Sequence, residues 1–390
     1  MMNYEKLGQQ LRLARDRSQM TQTEAAQLID VTPSALNQYE SGKRRVDALT
    51  VERLARLYGV PIRYIFEAEI PSRDWEDALR LDSQNISPSS KAGIGRLMEK
   101  VSALEELYMR MEIPFPGIPH SPFPPVPDDR LAEAQTAIAS AQKARSHYHL
   151  GIAPLLDLRG FLESRTYHIF MLPFGQEANA IRGLFFLHPN LGYIAVLNEE
   201  LSRSDRHLTL GHLFAHSLYQ NHWPAIFCRQ NDTRSLETFA NRFAAYFLIP
   251  SEALIERLQA HQIKAVANPA DAIHLARYFG VSYETMLYRL KEESCLTGSP
   301  ERWNKVQPEV LAQMLGYSPK PNESDRPFMT IEDRLPRIFI ELTYRAVASE
   351  KLSLGSAAEI LGISEFELEE RLYFEESEEK VAETHKILQV

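Results

Sequence analysis

"RHLTLGHLFAHSLYQ", residues 206–220, places His212 and His216 four residues apart. On a helix that spacing sets both imidazoles on one face, one turn apart. It is the spacing by which the pattern H-E-x-x-H holds a metal for hydrolysis. The residue after the first histidine, where that pattern has glutamate, is Leu213. The stretch reads as a helix with metal-holding spacing and no general base. The rest of the chain must decide between an enzyme, a former enzyme and an accident of composition.

The chain has 390 residues, enough for two or three domains, with 44% apolar and 24% charged residues, as in an ordinary globular protein. The net charge of −9 argues against non-specific binding to nucleic acid by the chain as a whole. Two cysteines, Cys228 and Cys295, exclude a disulfide framework or a cysteine-ligated iron–sulfur cluster and fit a reducing, cytoplasmic compartment. The first residues, "MMNYEKLGQQLRLARDR", contain no apolar core of a signal peptide, so none is expected. No apolar run reaches the ~18 residues that would span a bilayer, so no membrane partner is expected either.

Residues 5–67 break into five short amphipathic segments: one marked by Leu7, Leu11 and Ala14, then 21–29, 32–40, 49–59 and 62–67. Thr21 with Glu24 forms a capping-box pattern, and Thr32 followed by Pro33 is a helix start. Only Asp30 and Val31 separate the second and third segments, a helix-turn-helix corner, and Gly42 stands where the third needs a left-handed C′ residue. This stretch, "MTQTEAAQLIDVTPSALNQYESGKRRV", resembles the XRE (Cro/phage-repressor-like) helix-turn-helix family over about 60 residues. The resemblance implies that Gln22 bonds a phosphate, and that Thr32, Pro33, Ser34, Asn37 and Gln38 face the major groove of double-stranded DNA. Amides such as Asn37 and Gln38 suit adenine edges. Lys43, Arg44 and Arg45 are expected to hold phosphates, giving affinity and salt dependence. Residues 1–67 carry 10 Lys+Arg against 8 Asp+Glu, whereas the remainder carries 33 against 44, so the positive balance is local to this head. A protein-interaction module is the alternative for such a unit.

Ile94, Leu97, Val101, Leu104, Tyr108 and Met111 follow at spacings of 3, 4, 3, 4 and 3, a heptad seam short of a full coiled coil. A helix-turn-helix head gains from dimerising, so 88–111 is read as a dimer helix, the alternative being packing inside its own chain. Residues 114–127, "PFPGIPHSPFPPVP", hold seven prolines and read as an extended, semi-rigid spacer and a boundary. The expected domains are 1–68 (helix-turn-helix), 69–147 (dimerisation and linker), 148–295 (middle domain with a helical extension) and 296–390 (C-terminal helical module).

The middle domain reads as a helix (153–164), strands over 167–173, 181–188 and 192–198 with a "PNLG" hairpin turn, and helices over 203–220 and 234–248. This order, with "LTLGHLFAH" and "ETFANRFAAYFLIP", resembles the ImmA/IrrE family of metallopeptidases over about 100 residues. Members of that family cleave XRE-type repressors. By position the resemblance implies His212, His216 and Glu237 as metal ligands, with zinc (or manganese) as the cofactor. Two imidazoles and a carboxylate leave a fourth position open, as in a catalytic zinc site. Ala240 and Ala244, on the same face as Glu237, would let the two helices approach. Leu213 replaces the family's base, and such a loss costs typically ~10²–10⁴-fold in rate. Glu199 and Glu200 have no spacing that aims them at the site, so no catalytic residue is assigned and catalysis is not expected. His207, His222, Trp223 and Cys228 are read as packing or loop residues rather than ligands.

Residues 272–293 form a helical pair around a "GVS" corner, and 352–372 a second helix-turn-helix-like corner. The segment 364–390 carries 9 acids against 3 bases, which DNA would repel, so a structural or protein-contacting role is expected. The fold class is therefore multidomain and mainly α: a five-helix XRE head, a central α+β zincin-like ImmA/IrrE domain and a helical C-terminal region. The function expected is a DNA-binding transcriptional regulator, a homodimer or higher oligomer. Its degenerate peptidase domain would sense a small molecule, metal or protein and modulate operator binding. Bacterial regulators of short-chain fatty-acid metabolism are similar in layout. Some of these carry a cysteine-rich C-terminal module that two cysteines cannot build. The alternatives are an active metallopeptidase cleaving XRE-type repressors, and an antitoxin or immunity regulator that binds a protein partner.

Overall fold

The computed structural model describes residues 4–18, 20–58, 65, 79, 86–119, 121–220, 225–229, 232–298, 300–317 and 329–373. It is mainly helical, with a small mixed sheet between a helical head and a helical C-terminal part. The described head comprises α1 (Tyr4–Arg17), α2 (Gln22–Leu28), α3 (Pro33–Glu40) and α4 (Ala48–Tyr58). The fifth segment expected at 62–67 lies outside the described residues apart from Ile65, which is buried in the head's core.

Local chemistry sets the helix ends. Thr21 accepts from the Glu24 amide while the Glu24 carboxylate accepts from the Thr21 amide at 2.8 Å, a closed capping box. Thr32 caps α3 with Pro33 in its first turn, and Gly42 follows at φ +69°. The amphipathic faces close on Leu7, Leu11, Ala25, Leu36, Leu54 and Tyr58. Beside them Arg15 donates to both carboxylate oxygens of buried Glu40, at 2.6 and 3.1 Å, and to the Met20 carbonyl at 2.7 Å. A Cβ at Gly8 would lie 2.5 Å from the Tyr39 carbonyl oxygen, so only glycine lets α1 sit on the end of α3.

Helix α5 (Pro88–Arg110) leads to α6 (Ala134–His147) and α7 (Leu158–Glu163). Strands β1 (His168–Leu172), β2 (Ile181–His188) and β3 (Gly192–Asn198) precede α8 (Arg203–Tyr219), β4 (Ala225–Arg229) and α9 (Ser235–Leu248). The sheet order is β1-β3-β2-β4, with β1 parallel to β3 and the other pairs antiparallel. The expected β2–β3 hairpin is present. Strand β4 is an addition to the three strands expected: "AIFC" is a short apolar run of the kind a buried strand needs.

Because side chains alternate along a strand, the sheet supports two cores. Ile169, Met171, Phe185, Tyr193, Ala195, Leu197, Ile226 and Cys228 join the helices on one side, including α6, α8 and α9. Phe170, Leu172, Leu184, Phe186, Ile194, Val196, Ala225 and Phe227 face the other way, into a core shared with α5 and C-terminal residues 331–368.

That second core corrects one expectation, and the proline-rich segment refines another. Ile94, Leu97, Val101, Leu104 and Tyr108 are buried within this chain, so the seam read as a dimer helix is used for intramolecular packing. A half-buried sheet face without a cover is the stronger sink for an apolar seam than a second copy, because it is tethered to it. The proline-rich segment is extended as expected, yet it is strapped down rather than spanning a gap. Gly117 N–H donates to Asn190 O at 2.9 Å, Ser121 Oγ–H to Leu218 O at 2.7 Å and Val126 N–H to Tyr219 O at 3.0 Å.

Beyond α9 come α10 (Ser251–Ala260), α11 (Pro269–Phe279) and α12 (Tyr283–Glu292), the last two joined at Gly280 (φ +70°) and capped by Ser282. Short helices α13 (Pro300–Asn304), α14 (Pro308–Met314) and α15 (Ile331–Arg334) lead to α16 (Arg337–Ala348) and α17 (Leu354–Leu361). A last helix over 365–373 makes the second corner after Gly362. The acidic tail past 373 and residues 318–328 lie outside the described residues.

Candidate metal centre and nucleic-acid interface

Helix α8 is capped by Ser202, whose hydroxyl accepts from the Asp205 amide, and packs against one face of the sheet. It packs closely on α9: a Cβ on Gly211 would lie 3.4 Å from the Ala244 Cβ, and Ala240 and Ala244 are fully buried. This approach brings Glu237, in the first turn of α9, to the two histidines. A carboxylate also suits that position because helix N-termini carry partial positive charge.

The donor atoms converge. His212 Nε2 lies 2.9 Å from His216 Nε2 and 3.2 Å from Glu237 Oε2, and His216 Nε2 lies 3.6 Å from Glu237 Oε1. Cys228 Sγ, from β4, is 3.4 Å from His216 Nε2. All four residues are buried and their donor atoms lie within 4.8 Å of one another. Sequence reading placed Cys228 in packing or loop. The structure places it in the cluster, because β4 runs along the edge of the sheet over α8 and its alternation turns Cys228 inward. Of the other side chains set aside, His222 and Trp223 lie outside the described residues, and His207 is not in the group.

The outer hydrogen bonds fix the tautomers. His212 Nδ1 faces Asn241 Oδ1 at 2.9 Å. His216 Nδ1 faces Gln220 Oε1, and the Gln220 amide nitrogen donates to Leu236 O at 3.4 Å, which orients that amide. Both Nδ1 atoms therefore carry the proton, and both Nε2 atoms present lone pairs to each other and to the carboxylate. Such a pair repels unless a cation stands between them, and buried Glu237 Oε1 makes no hydrogen bond, its contacts being Arg234 Nη2 at 3.5 Å and His216 Nε2 at 3.6 Å. Burial pushes the His216 imidazole down, and burial with the charge of Glu237 pushes the Cys228 thiol up. For metal bonds of 2.0–2.3 Å, tetrahedral neighbours stand about 3.3–3.8 Å apart; the 3.4 and 3.6 Å spacings match that range, and the shorter 2.9 and 3.2 Å ones require His212 to draw back slightly around an ion.

Leu213 does not face an opening. It is 1% exposed and lies in the apolar core, its two δ-methyls 3.3 Å from where a Cβ on Gly183 would be. Glu199 is 3.5 Å from Arg334, and Glu200 accepts from Gln176 at 2.9 Å, so both are engaged elsewhere.

In the head, Thr32, Pro33, Ser34, Asn37, Gln38, Lys43, Arg44 and Arg45 are all exposed on α3 and the turn after it. Arg44 stacks over Tyr39 (5.4 Å) and Arg45 over Tyr4 (5.3 Å), which holds the basic trio at the edge of α3. Gln22 is only half-buried, and its amide nitrogen donates to Glu40 Oε2 at 2.7 Å, leaving its second amide hydrogen for a phosphate.

Comparison with protein-family models matches residues 6–63 to a helix-turn-helix domain and residues 162–291 to an IrrE N-terminal-like domain. No curated protein matches the chain. The chain is thus a fusion of an XRE-type helix-turn-helix domain with an IrrE-like domain.

Proposed function

We propose that this fusion is a DNA-binding transcriptional regulator whose IrrE-like domain modulates operator binding without cleaving peptides. The observation that carries the reading is the divergence within one helix turn. His212 and His216 remain among donors while Leu213, at the position of the base, is sealed in the core. His212, His216 and Glu237 would hold the metal that such domains use. A bound divalent ion would supply a fixed charge that ties α8 to α9. The residues themselves do the rest: Asn241 and Gln220 orient the imidazoles, and Leu213 and Gly183 exclude water from the place of the base.

Helix α5 supports coupling between the two ends. Ala92 is buried in the head's core, Ile94 and Leu97 in the sheet's second core, and a Cβ on Gly93 would lie 2.3 Å from the Phe174 ring. A shift of the sheet would therefore move the head through rigid contacts, and a ligand with different affinity for two such arrangements would change DNA binding. The chain would act in the cytoplasm as a dimer or higher oligomer, through a surface other than the buried seam of α5.

The test is an electrophoretic shift on the gene's own promoter region beside a cleavage assay on XRE-type repressors with zinc or manganese. Binding that weakens in Gln38→Ala and Arg44→Ala, with no cleavage, is expected. Binding unaffected by both substitutions, or repressor cleavage by the unaltered chain, would overturn the reading. Cleavage would establish the second reading, an active metallopeptidase, which the intact donor set favours.

A further inference from the structure

We infer that Cys228 is a fourth metal ligand, so that His212, His216, Cys228 and Glu237 form a closed tetrahedral site for a thiophilic divalent cation, zinc above all. This rests on reading the cluster as the metal centre of a domain that does not cleave. A catalytic zinc site keeps one position for water, whereas a structural site has four protein ligands. Three ligands leave this centre open, and the thiolate closes it.

Three observations support the assignment. The first is aim. In β4, Ile226 and Cys228 face α8 and α9 while Ala225 and Phe227 face the opposite core. The ladder shifts register between Ile181 and Gly183, opposite Cys228 and Arg229. The extra residue there is Arg182 of β2, so β4 keeps its regular alternation and Cys228 stays on the face of Ile226. The second is charge. A thiolate and a carboxylate neutralise a dication, so a fully buried cluster gains no net charge, whereas either anion alone would leave one. The third is the pairing of two departures from a cleaving centre. Cys228 is the cross-strand partner of Gly183, and the space above Gly183 is filled by Leu213 and Thr209. The lost base and the added thiol thus lie in one patch of structure.

A thiol hydrogen bond to His216 is the competing account. It satisfies one lone pair but leaves His212 Nε2 and His216 Nε2 facing each other at 2.9 Å, with Glu237 Oε1 held only by Arg234 at 3.5 Å and without a hydrogen bond. One cation satisfies all four donors. Thiolate with imidazole also selects zinc over manganese or magnesium.

The experiment is cobalt(II) substitution of the full-length chain, read by absorption and by metal content per chain, with Cys295→Ala and His212→Ala as controls. One cobalt per chain is expected, with intense tetrahedral visible bands and a near-ultraviolet thiolate-to-cobalt band. Both should persist in Cys295→Ala and vanish in His212→Ala. In Cys228→Ser, the thiolate band should disappear and zinc affinity should fall by more than about 10-fold, the least that losing even an outer partner costs. One cobalt per chain, lost in His212→Ala but lacking the thiolate band in the unaltered protein, would overturn the fourth ligand and leave the three-ligand reading intact. No cobalt at all would overturn both. Because the band is read in unaltered protein, the result does not depend on Cys228→Ser folding.

Discussion

Restoring a glutamate by Leu213→Glu tests whether the site has closed around the loss of its base. Leu213 is 1% exposed, in contact distance of the Gly183 position and surrounded by the apolar core. Removing the leucine forfeits about 2 kcal/mol of apolar burial. The carboxyl put in its place must stay neutral or pull water inward. Protonating a glutamate of ordinary pKa about 4.3 at about pH 7 costs about 3.7 kcal/mol, which caps the electrostatic penalty. The variant should therefore be about 5–6 kcal/mol less stable at about pH 7. A carboxyl whose folded pKa is raised loses stability as pH rises above its unfolded value, so the deficit must shrink on acidification, to about 3 kcal/mol at about pH 5. Urea unfolding of both proteins at the two pH values measures it. No cleavage of XRE-type repressors is expected from the variant, since its carboxyl would lie in the sealed core beside Gly183. A variant as stable as its parent at neutral pH, or one that cleaves, would refute the claim that this face is sealed.

Other outcomes follow from the same structure. Arg44→Ala should weaken binding to all DNA sequences alike and reduce the salt slope by about one, whereas Asn37→Ala or Gln38→Ala should change the preferred sequence at about 1–3 kcal/mol per position; a uniform loss from all three would reject α3 as the reading helix. Glu40→Gln removes the buried charge partner of Arg15 and leaves it only exposed Asp16 at 2.8 Å, so it should cost up to about 3–5 kcal/mol, seen as early melting of the head with loss of DNA binding. His168 is 1% exposed, and burial lowers its imidazole to about 4. Its contribution is complete above about pH 6.5 and is lost as pH falls towards 4, about 3 kcal/mol in all. His168→Gln should flatten the acid limb of the unfolding midpoint against pH, and an unchanged limb would assign it to another group.

The sequence alone determined what local chemistry controls. Thr21 and Glu24, Thr32 and Pro33, and Gly42 mark helix ends through bonds within a few residues, so the head and its exposed α3 were legible before any coordinates. So were the β2–β3 hairpin, the spacing of His212 and His216, and the missing base at Leu213. Tertiary structure decided what depends on which surfaces meet. A 3,4 apolar repeat states that α5 must bury one face but not against what. The uncovered side of the sheet answered that, and the same packing brought residues 331–368 back to it. Seven prolines dictate an extended chain, yet only the carbonyls of Asn190, Leu218 and Tyr219 tell that it is strapped down. The place of Cys228 was hidden for the same reason. Its nearness to the histidines is set by a short edge strand and the closeness of two helices, neither of which leaves a periodic mark in the chain. Ligand chemistry is a property of atoms within a few ångströms in space, and a cysteine twelve residues past the second histidine reaches that neighbourhood only after the sheet has formed.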